Sequence, residues 1–273
     1  MLQRLRSLLL LPLNHIRLFV CRLLSTETHF SNIRYFKFGI PLVLKCSIGT
    51  ISTEADALRF LNSCGLDLPI PRIFDSFVVG GNTFTVMTRI EGERLIDKLD
   101  SISDDHLWFI VEDLFTVLRK LWTLHQPEQD SGRVMLSASG HGIPSPVLFF
   151  EDREGPFDNI LECFVHMSRH LFDSAEEFKE LHPGASQTIM SDSIVYVHAD
   201  LRSHNILVRD GRLSGIVDWE NSGWLPLHWQ LHVIRRPCAS TRGKFRKLLD
   251  NTKGPCGSEA AYEQSKPLLH YNL

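Results

Sequence analysis

Four polar side chains stand where apolar runs begin or end. His198 and Asp200 follow Val195-Tyr196-Val197, Asn205 precedes Ile206-Leu207-Val208, and Asp218 closes Gly215-Ile216-Val217. Moving a phosphoryl group from a nucleotide to a hydroxyl needs a carboxylate beside the incoming hydroxyl, oxygen ligands for magnesium, and a cation on the nucleotide phosphates. Asp200 is the candidate carboxylate. Asn205 can place an amide oxygen on magnesium from the same loop, and Asp218 supplies the anionic ligand that a hard cation prefers. Lys45, late in an apolar strand-like run, is the candidate phosphate cation; Glu54, at the start of the next helix, would hold it by an ion pair. His198 braces the loop rather than reacting.

Each residue has a plainer reading in isolation. Lys45 alone reads as a snorkelling strand lysine, and Glu54 alone as a first-turn carboxylate favoured by the helix dipole. Arg202, two residues after Asp200, either adds positive charge near the transferred phosphate or is a solvent-facing loop arginine. The joint order of His198, Asp200, Asn205 and Asp218, with Lys45 and Glu54 upstream, favours the phosphotransferase site. A rival reading makes His198, Asp200 and His204 the metal ligands of a hydrolase. It lacks a second ligand cluster at zinc-like spacing and leaves Asn205 and Asp218 without a role.

The elements that must position these residues fall into two regions. Arg34 to Phe38 and Leu42 to Cys46 read as strands joined by Gly39-Ile40-Pro41, and Ile73 to Val79 and Thr83 to Thr88 as a hairpin across Gly80-Gly81-Asn82. Between them, Ser52 and Thr53 offer N-cap hydroxyls to a helix starting near Glu54 and stopping at Gly65. At Ile90-Glu91-Gly92-Glu93 the β pattern yields to helical periodicity. After Ser103 as N-cap, Leu107, Ile110, Val111, Leu114, Leu118, Leu121 and Leu124 recur at three- and four-residue steps up to Pro127. Asp130 to Pro146 reads as a long loop, and Ile160, Leu161, Phe164 and Leu171 as one face of a further helical stretch. The expected organisation is a basic leader or tail over 1–30, a nucleotide-side β lobe over 31–90, a helical lobe with the catalytic loop over 91–250, and a C-terminal tail over 251–273.

Composition narrows the partners. The chain has 273 residues, 43% hydrophobic, which suits one large domain or two lobes around a cleft. With 29 basic and 32 acidic residues and a net charge of -3, no whole-chain basic field argues for nucleic acid. Six cysteines without a C-x-x-C pair read as reduced thiols of an intracellular protein. Residues 1–26 contain Arg4, Arg6, Arg17 and Arg22 among leucines and no acid, the pattern of a transit peptide, of a short amphipathic helix packed on the body, or of a loose tail. The location expected is cytoplasmic, with mitochondrial as the alternative. Leu8 to Leu13, interrupted in character by Pro12, is far short of the ~20 residues that span a bilayer.

Taken together, His198-Ala199-Asp200-Leu201 to Asn205-Ile206-Leu207-Val208, then Gly215-Ile216-Val217-Asp218-Trp219-Glu220 and Gly223-Trp224-x-Pro226-x-x-Trp229, closely resemble the aminoglycoside phosphotransferase (APH) family, in particular its fungal kinase-like branch. The resemblance runs from about Arg34 to Cys238 and takes in Val43-Leu44-Lys45, Ile70-Pro71-Arg72-Ile73 and Gly155-Pro156-Phe157. It implies an α+β, protein-kinase-like two-lobe fold, a small antiparallel β lobe with one helix above a mainly helical lobe, with ATP in the cleft. It also implies Asp200 as catalytic base, Asn205 and Asp218 on Mg2+, Lys45 on the phosphates and Glu54 as its partner. Three departures stand out. Ala199 replaces the usual glycine, Gln230 replaces a usual glutamate, and no glycine precedes Gly39 to build a phosphate-covering loop, the Arg/Leu-rich leader occupying that region. The expected activity is Mg-ATP-dependent transfer to a small-molecule hydroxyl, the alternative a catalytically impaired kinase-fold binding protein. A protein kinase ranks last: Trp219-Glu220 follows Asp218 where Phe-Gly is expected, and no Ala-Pro-Glu appears downstream. The acceptor is set by segments around 141–157 and 223–229, in which no residue pattern names it.

Overall fold

The computed structural model describes residues 2–144, 153–168, 171–236 and 238–269, with the side chains of the first helix from residue 12 onward. Helix α1 (Leu2–Leu23) leads into a five-stranded antiparallel sheet of β1 (Ser25–Glu27), β2 (Ile33–Phe36), β3 (Leu42–Ile48), β4 (Ile73–Val79) and β5 (Asn82–Thr88), in the order β1-β2-β3-β5-β4. Helix α2 (Thr53–Ser63) crosses between β3 and β4. Lys45 lies directly opposite Thr85 in the β3–β5 register, so its position on the sheet is fixed by a ladder of seven paired residues. Leu18 of α1 packs with Leu44, Phe77, Val79, Phe84 and Val86 on one face of this sheet. The other face meets α2, whose Ala57, Leu58 and Leu61 join the main core.

The chain leaves the sheet through Ile90-Glu91-Gly92 into β6 (Glu93–Arg94) and α3 (Leu95–Lys98). Gly92 is required here, because its φ is 142° and a Cβ would collide with Ser214 Oγ and lie 2.9 Å from Val208 O. Helix α4 (Asp104–Leu121) opens with Ser103 accepting the His106 N–H, and all six apolar positions from Leu107 to Leu121 named by the periodicity are buried. Burying each such side chain contributes about 1.5–3 kcal/mol. The helix stops at Leu121, one turn before Leu124. Then follow the short pair β7 (Ile143–Pro144) and β8 (Arg153–Glu154), helices α5 (Ile160–Met167), α6 (Ala175–Leu181) and α7 (Pro183–Met190), and strands β9 (Ile194–Val197), β10 (Ile206–Arg209), β11 (Arg212–Ile216) and β12 (Gly223–Pro226). Strand β9 pairs with β12, and β10 lies between β11 and β6. Helices α8 (Leu227–Ile234), α9 (Gly243–Asn251) and α10 (Cys256–Ser265) complete the second lobe.

Several expectations need correction. Strand β1 lies within 1–30 yet belongs to the sheet, and β1 and β2 form a strand-turn-strand across residues 28–32 where the leader was expected to displace one. The turn holds itself without glycine: Thr28 Oγ1 accepts from Phe30 N at 3.1 Å and donates to Ile33 O at 2.9 Å. The C-terminal segment to Leu269 is not a tail, since Ala261 and Tyr262 of α10 are buried in the main core. Ser52 and Thr53 do not cap α2 through their hydroxyls; Ser52 Oγ bonds Ser76 Oγ at 2.8 Å and Thr53 Oγ1 accepts from Arg153 at 3.1 Å. Of the segment expected to choose the acceptor, residues 145–152 lie outside those described, and so does any reading placed on them.

Candidate active site

Residues 198–205 connect β9 to β10, and two backbone bonds and one from a side chain tie this loop to three neighbours. Val217 N donates to Asn205 O (3.0 Å), Ile96 N to Ser203 O (3.1 Å), and buried Ser203 Oγ to Ser240 O (2.6 Å). His198 is fully buried at its start. Asp200 N donates to His198 Nδ1 (3.3 Å), so Nδ1 is the acceptor and Nε2 carries the proton it gives to Val217 O (3.0 Å). Burial pushes the imidazole pKa down, only partly offset by Val217 O, Asp200 and Asp218, which agrees with a neutral ring. His198 therefore positions the loop and has no access to a reactant. Trp219 stacks edge-on against it with centroids 4.6 Å apart.

Asp200 takes its shape from three sides. Asn205 Nδ2 donates to its backbone oxygen (2.8 Å) and to its Oδ2 (3.2 Å), and Arg202 Nε lies 2.9 Å from Oδ1. Burial raises its pKa, but His204, Arg202 and His198 outweigh burial, and the carboxyl sits below its ordinary range. Arg202 is thus no solvent-facing loop residue; its guanidinium pairs with the Asp200 carboxylate. Ala199 is buried among apolar neighbours and its φ is not positive, so the methyl that replaces the expected glycine costs the loop no backbone strain. Gln230 is fully buried beneath the loop and grips His198 from both sides, Oε1 accepting from its N–H (3.0 Å) and Nε2 donating to its carbonyl (3.3 Å). A glutamate there would keep only the first bond.

The second half of the site is a charge cluster. Lys45 Nζ lies 2.6 Å from Asp218 Oδ1, 3.0 Å from Glu54 Oε2 and 3.3 Å from Glu220 Oε2. One ammonium faces three carboxylates. Burial alone would lower the Lys45 pKa, but Glu54, Asp218 and Glu220 hold it well above the ordinary value, so the charge persists. Glu54 is displaced upward, first by burial and then by Asp218 and Glu220, with Lys45 opposing. Asp218 adopts φ 68°, a left-handed conformation uncommon outside glycine, and Glu54 Oε1 accepts from Trp219 N (3.3 Å) just after it. Arg153 of β8 donates to Ile51 O (3.3 Å) and Thr53 Oγ1 (3.1 Å), tying the N-terminus of α2 to the second lobe.

Every expected site residue is therefore present in one of these two linked groups: His198, Asp200, Arg202 and Asn205 in the loop, Lys45, Glu54 and Asp218 in the cluster. Glu220, Gln230 and Arg153 were not anticipated. The signal for Glu220 was available as a second acid two residues after Asp218. Glu54, Asp218 and Glu220 offer oxygens within 4.8 Å of one another, a group of hard donors able to hold a metal ion.

The chain matches the family described as phosphotransferase enzyme family (APH) over residues 46–234. No curated protein matches it. Among solved structures, aminoglycoside phosphotransferase APH(4)-Ia superposes with a TM-score of 0.58 at 16% identity, covering 93% of this chain and 88% of that one. A thermostable APH(4)-Ia mutant in ternary complex with AMP-PNP and hygromycin B gives 0.59 at 15% identity, with 89% and 83% covered. The gentamicin–APH(2")-IIa complex gives 0.55 at 17% identity, with 92% and 84% covered. These similarities establish the kinase-like fold, and the family match over residues 46–234 establishes that this chain belongs to the phosphotransferase enzyme family.

Proposed function

We propose that this protein transfers the terminal phosphoryl group of Mg-ATP to a hydroxyl group of a small molecule. The observation that carries this reading is the pair of linked groups above, a braced carboxylate beside an arginine and a lysine ringed by three acids. In the transfer, the acceptor oxygen bonds to the γ-phosphorus and gives up its proton, and the bond from that phosphorus to the β–γ bridging oxygen breaks. Asp200, kept ionised by its neighbours, orients the acceptor hydroxyl and takes its proton as the new bond forms. Lys45 would meet nucleotide phosphate oxygens, and the 3.0 Å ion pair with Glu54 of α2 supports that direction. Arg202 brings positive charge alongside Asp200, where the transferred group must pass.

Asp218 and Glu220, whose oxygens lie within 4.8 Å of one another, would hold magnesium; Asn205, whose amide nitrogen is committed to Asp200, would add its amide oxygen. When bound, the ion neutralises charge on the nucleotide phosphates. The test is a screen of the purified protein for acceptor-dependent ADP release across hydroxyl metabolites, with Asp200→Asn in parallel. Acceptor-dependent release lost in the variant supports the reading. Release of ADP by water alone, unchanged in Asp200→Asn, would overturn it.

A further inference from the structure

The first turn of α2 carries Glu54, the acid 3.0 Å from Lys45 Nζ, yet the helix's own sequence does not fix that turn. No side chain caps its start, so the turn must be held from outside the helix. One hold lies within the small lobe, Ser52 Oγ against Ser76 Oγ of β4. The other comes from the second lobe. Arg153 of β8 donates through Nη2 to Ile51 O (3.3 Å) and Thr53 Oγ1 (3.1 Å), while its Nη1 donates to Gly142 O (3.4 Å) just before β7. A guanidinium fork spans two segments in one fixed geometry, which the point charge of an ammonium does not. Thr53 and Glu54 are adjacent and both buried, so a displacement of one carries the other.

The base from which Arg153 reaches is firm. Glu154 pairs with Ile143 in the β7–β8 register, Ile143 is fully buried, and His166 of α5 lies 3.1 Å from the Glu154 carboxylate. A Cβ on Gly142 would collide with Glu154 O, so the two segments touch backbone to backbone. The charge of Arg153 has a second link to the site. A cation at a helix N-terminus works against the macrodipole, and burial also disfavours it. The acids that oppose burial here are first Glu220 and then Asp56, and Glu220 is one of the three carboxylates around Lys45. Arg153 therefore bears on the lysine cluster both through the Thr53–Glu54 turn and through the field of Glu220.

We infer that Arg153 is a positioning residue for the nucleotide site: it holds the first turn of α2 so that Glu54 keeps Lys45 directed at the phosphates, and through it the β7–β8 segment of the second lobe sets the strength of Mg-ATP binding. This rests on the nucleotide reading given above. Mg-ATP is titrated calorimetrically into the full-length wild type, Arg153→Ala, Arg153→Lys and Thr53→Val. Arg153→Ala should weaken binding about tenfold, and Arg153→Lys should recover only part of the loss. Thr53→Val keeps the shape of the side chain and removes the acceptor; it should weaken binding about threefold, and adding it to Arg153→Ala should cost nothing more. Thermal unfolding midpoints recorded alongside separate the two roles, since a clamp that serves stability alone lowers the midpoint and leaves the affinity of the folded protein unchanged. Thr53→Val carries the test if Arg153→Ala does not fold. A wild type that does not bind Mg-ATP overturns the nucleotide reading and this inference together. Wild-type binding that keeps its affinity in the Arg153→Ala and Thr53→Val variants overturns this inference alone.

Discussion

Two buried polar networks in this chain, one around a single carboxylate and one around a lysine with three, do different work. Asp192, between α7 and β9, is buried with each oxygen matched to donors: Oδ2 accepts from His228 N and Nδ1, both at 2.7 Å, and Oδ1 from Ser193 N (2.9 Å) and Ser258 Oγ (2.5 Å). Burial raises its pKa, but these bonds and the nearby His228 outweigh that, and the carboxyl stays below its usual range. These bonds fill both oxygens of Asp192 and pin α8 and α10 to the base of the strand that leads into the catalytic loop. The cluster around Lys45 is left open, with three carboxylates on one ammonium and Asp218 and Glu220 still partly exposed. A buried acid with all its valences filled is scaffold. A surplus of acid facing solvent is a place for a cation.

Removing Asp200 should have the largest effect. Asp200→Asn is expected to cut phosphoryl transfer by about a thousandfold, as loss of a positioned base does, with little change in the unfolding midpoint measured alongside. The next effect falls on folding. Asp192→Ala leaves His228 and Ser258 without their acceptor inside the core and should cost about 3–5 kcal/mol in urea unfolding, while nucleotide affinity of the folded fraction stays unchanged. Loss of nucleotide affinity with intact stability would break the distinction between the two clusters.

The same comparison sets a pH dependence. Because the folded pKa of Asp192 is depressed, its stabilisation is present above the unfolded carboxylate range near about 3.9 and is lost as pH falls through the folded value. Urea midpoints of the wild type should therefore fall below about pH 4, and the Asp192→Asn variant should show a smaller fall. Gln230→Glu is the mildest change. It removes one donor to the His198 carbonyl and should cost about 1 kcal/mol of stability, read as a small drop in the unfolding midpoint and a modest loss of activity.

Much of the site was legible in the sequence because its residues sit at strand ends, where apolar runs stop abruptly at a polar group. The His198-to-Asn205 loop and Asp218 are marked that way, and the Lys45–Glu54 ion pair follows from a strand, a lysine and a helix with an early acid. The residues that escaped are those whose role depends on the fold bringing distant segments together. Gln230 works by lying under His198 from α8, and Arg153 by reaching α2 across the lobes. Arg202 was legible as a cation near the site, but its pairing with Asp200 was not, because spacing alone does not fix a loop's conformation. Helix α10 read as tail because Cys-Gly-Ser-Glu-Ala-Ala-Tyr-Glu-Gln-Ser has no apolar period; beside Ala261 and Tyr262 in the core, its contacts are polar, Ser258 on Asp192 and Ser265 Oγ on His232 Nε2. The two-lobe α+β fold was legible from the change of periodicity at Ile90 to Glu93, whereas β1 is too short to carry a pattern at all.

The proposal turns on Asp218 and Glu220 beside Lys45 holding a magnesium-bound nucleotide. Isothermal titration of ATP into the full-length protein, with and without magnesium and in parallel with Asp218→Asn, tests it directly. The account predicts binding that requires magnesium and weakens by about 100-fold in the variant. Absence of ATP binding, or binding indifferent to both magnesium and Asp218, would contradict it.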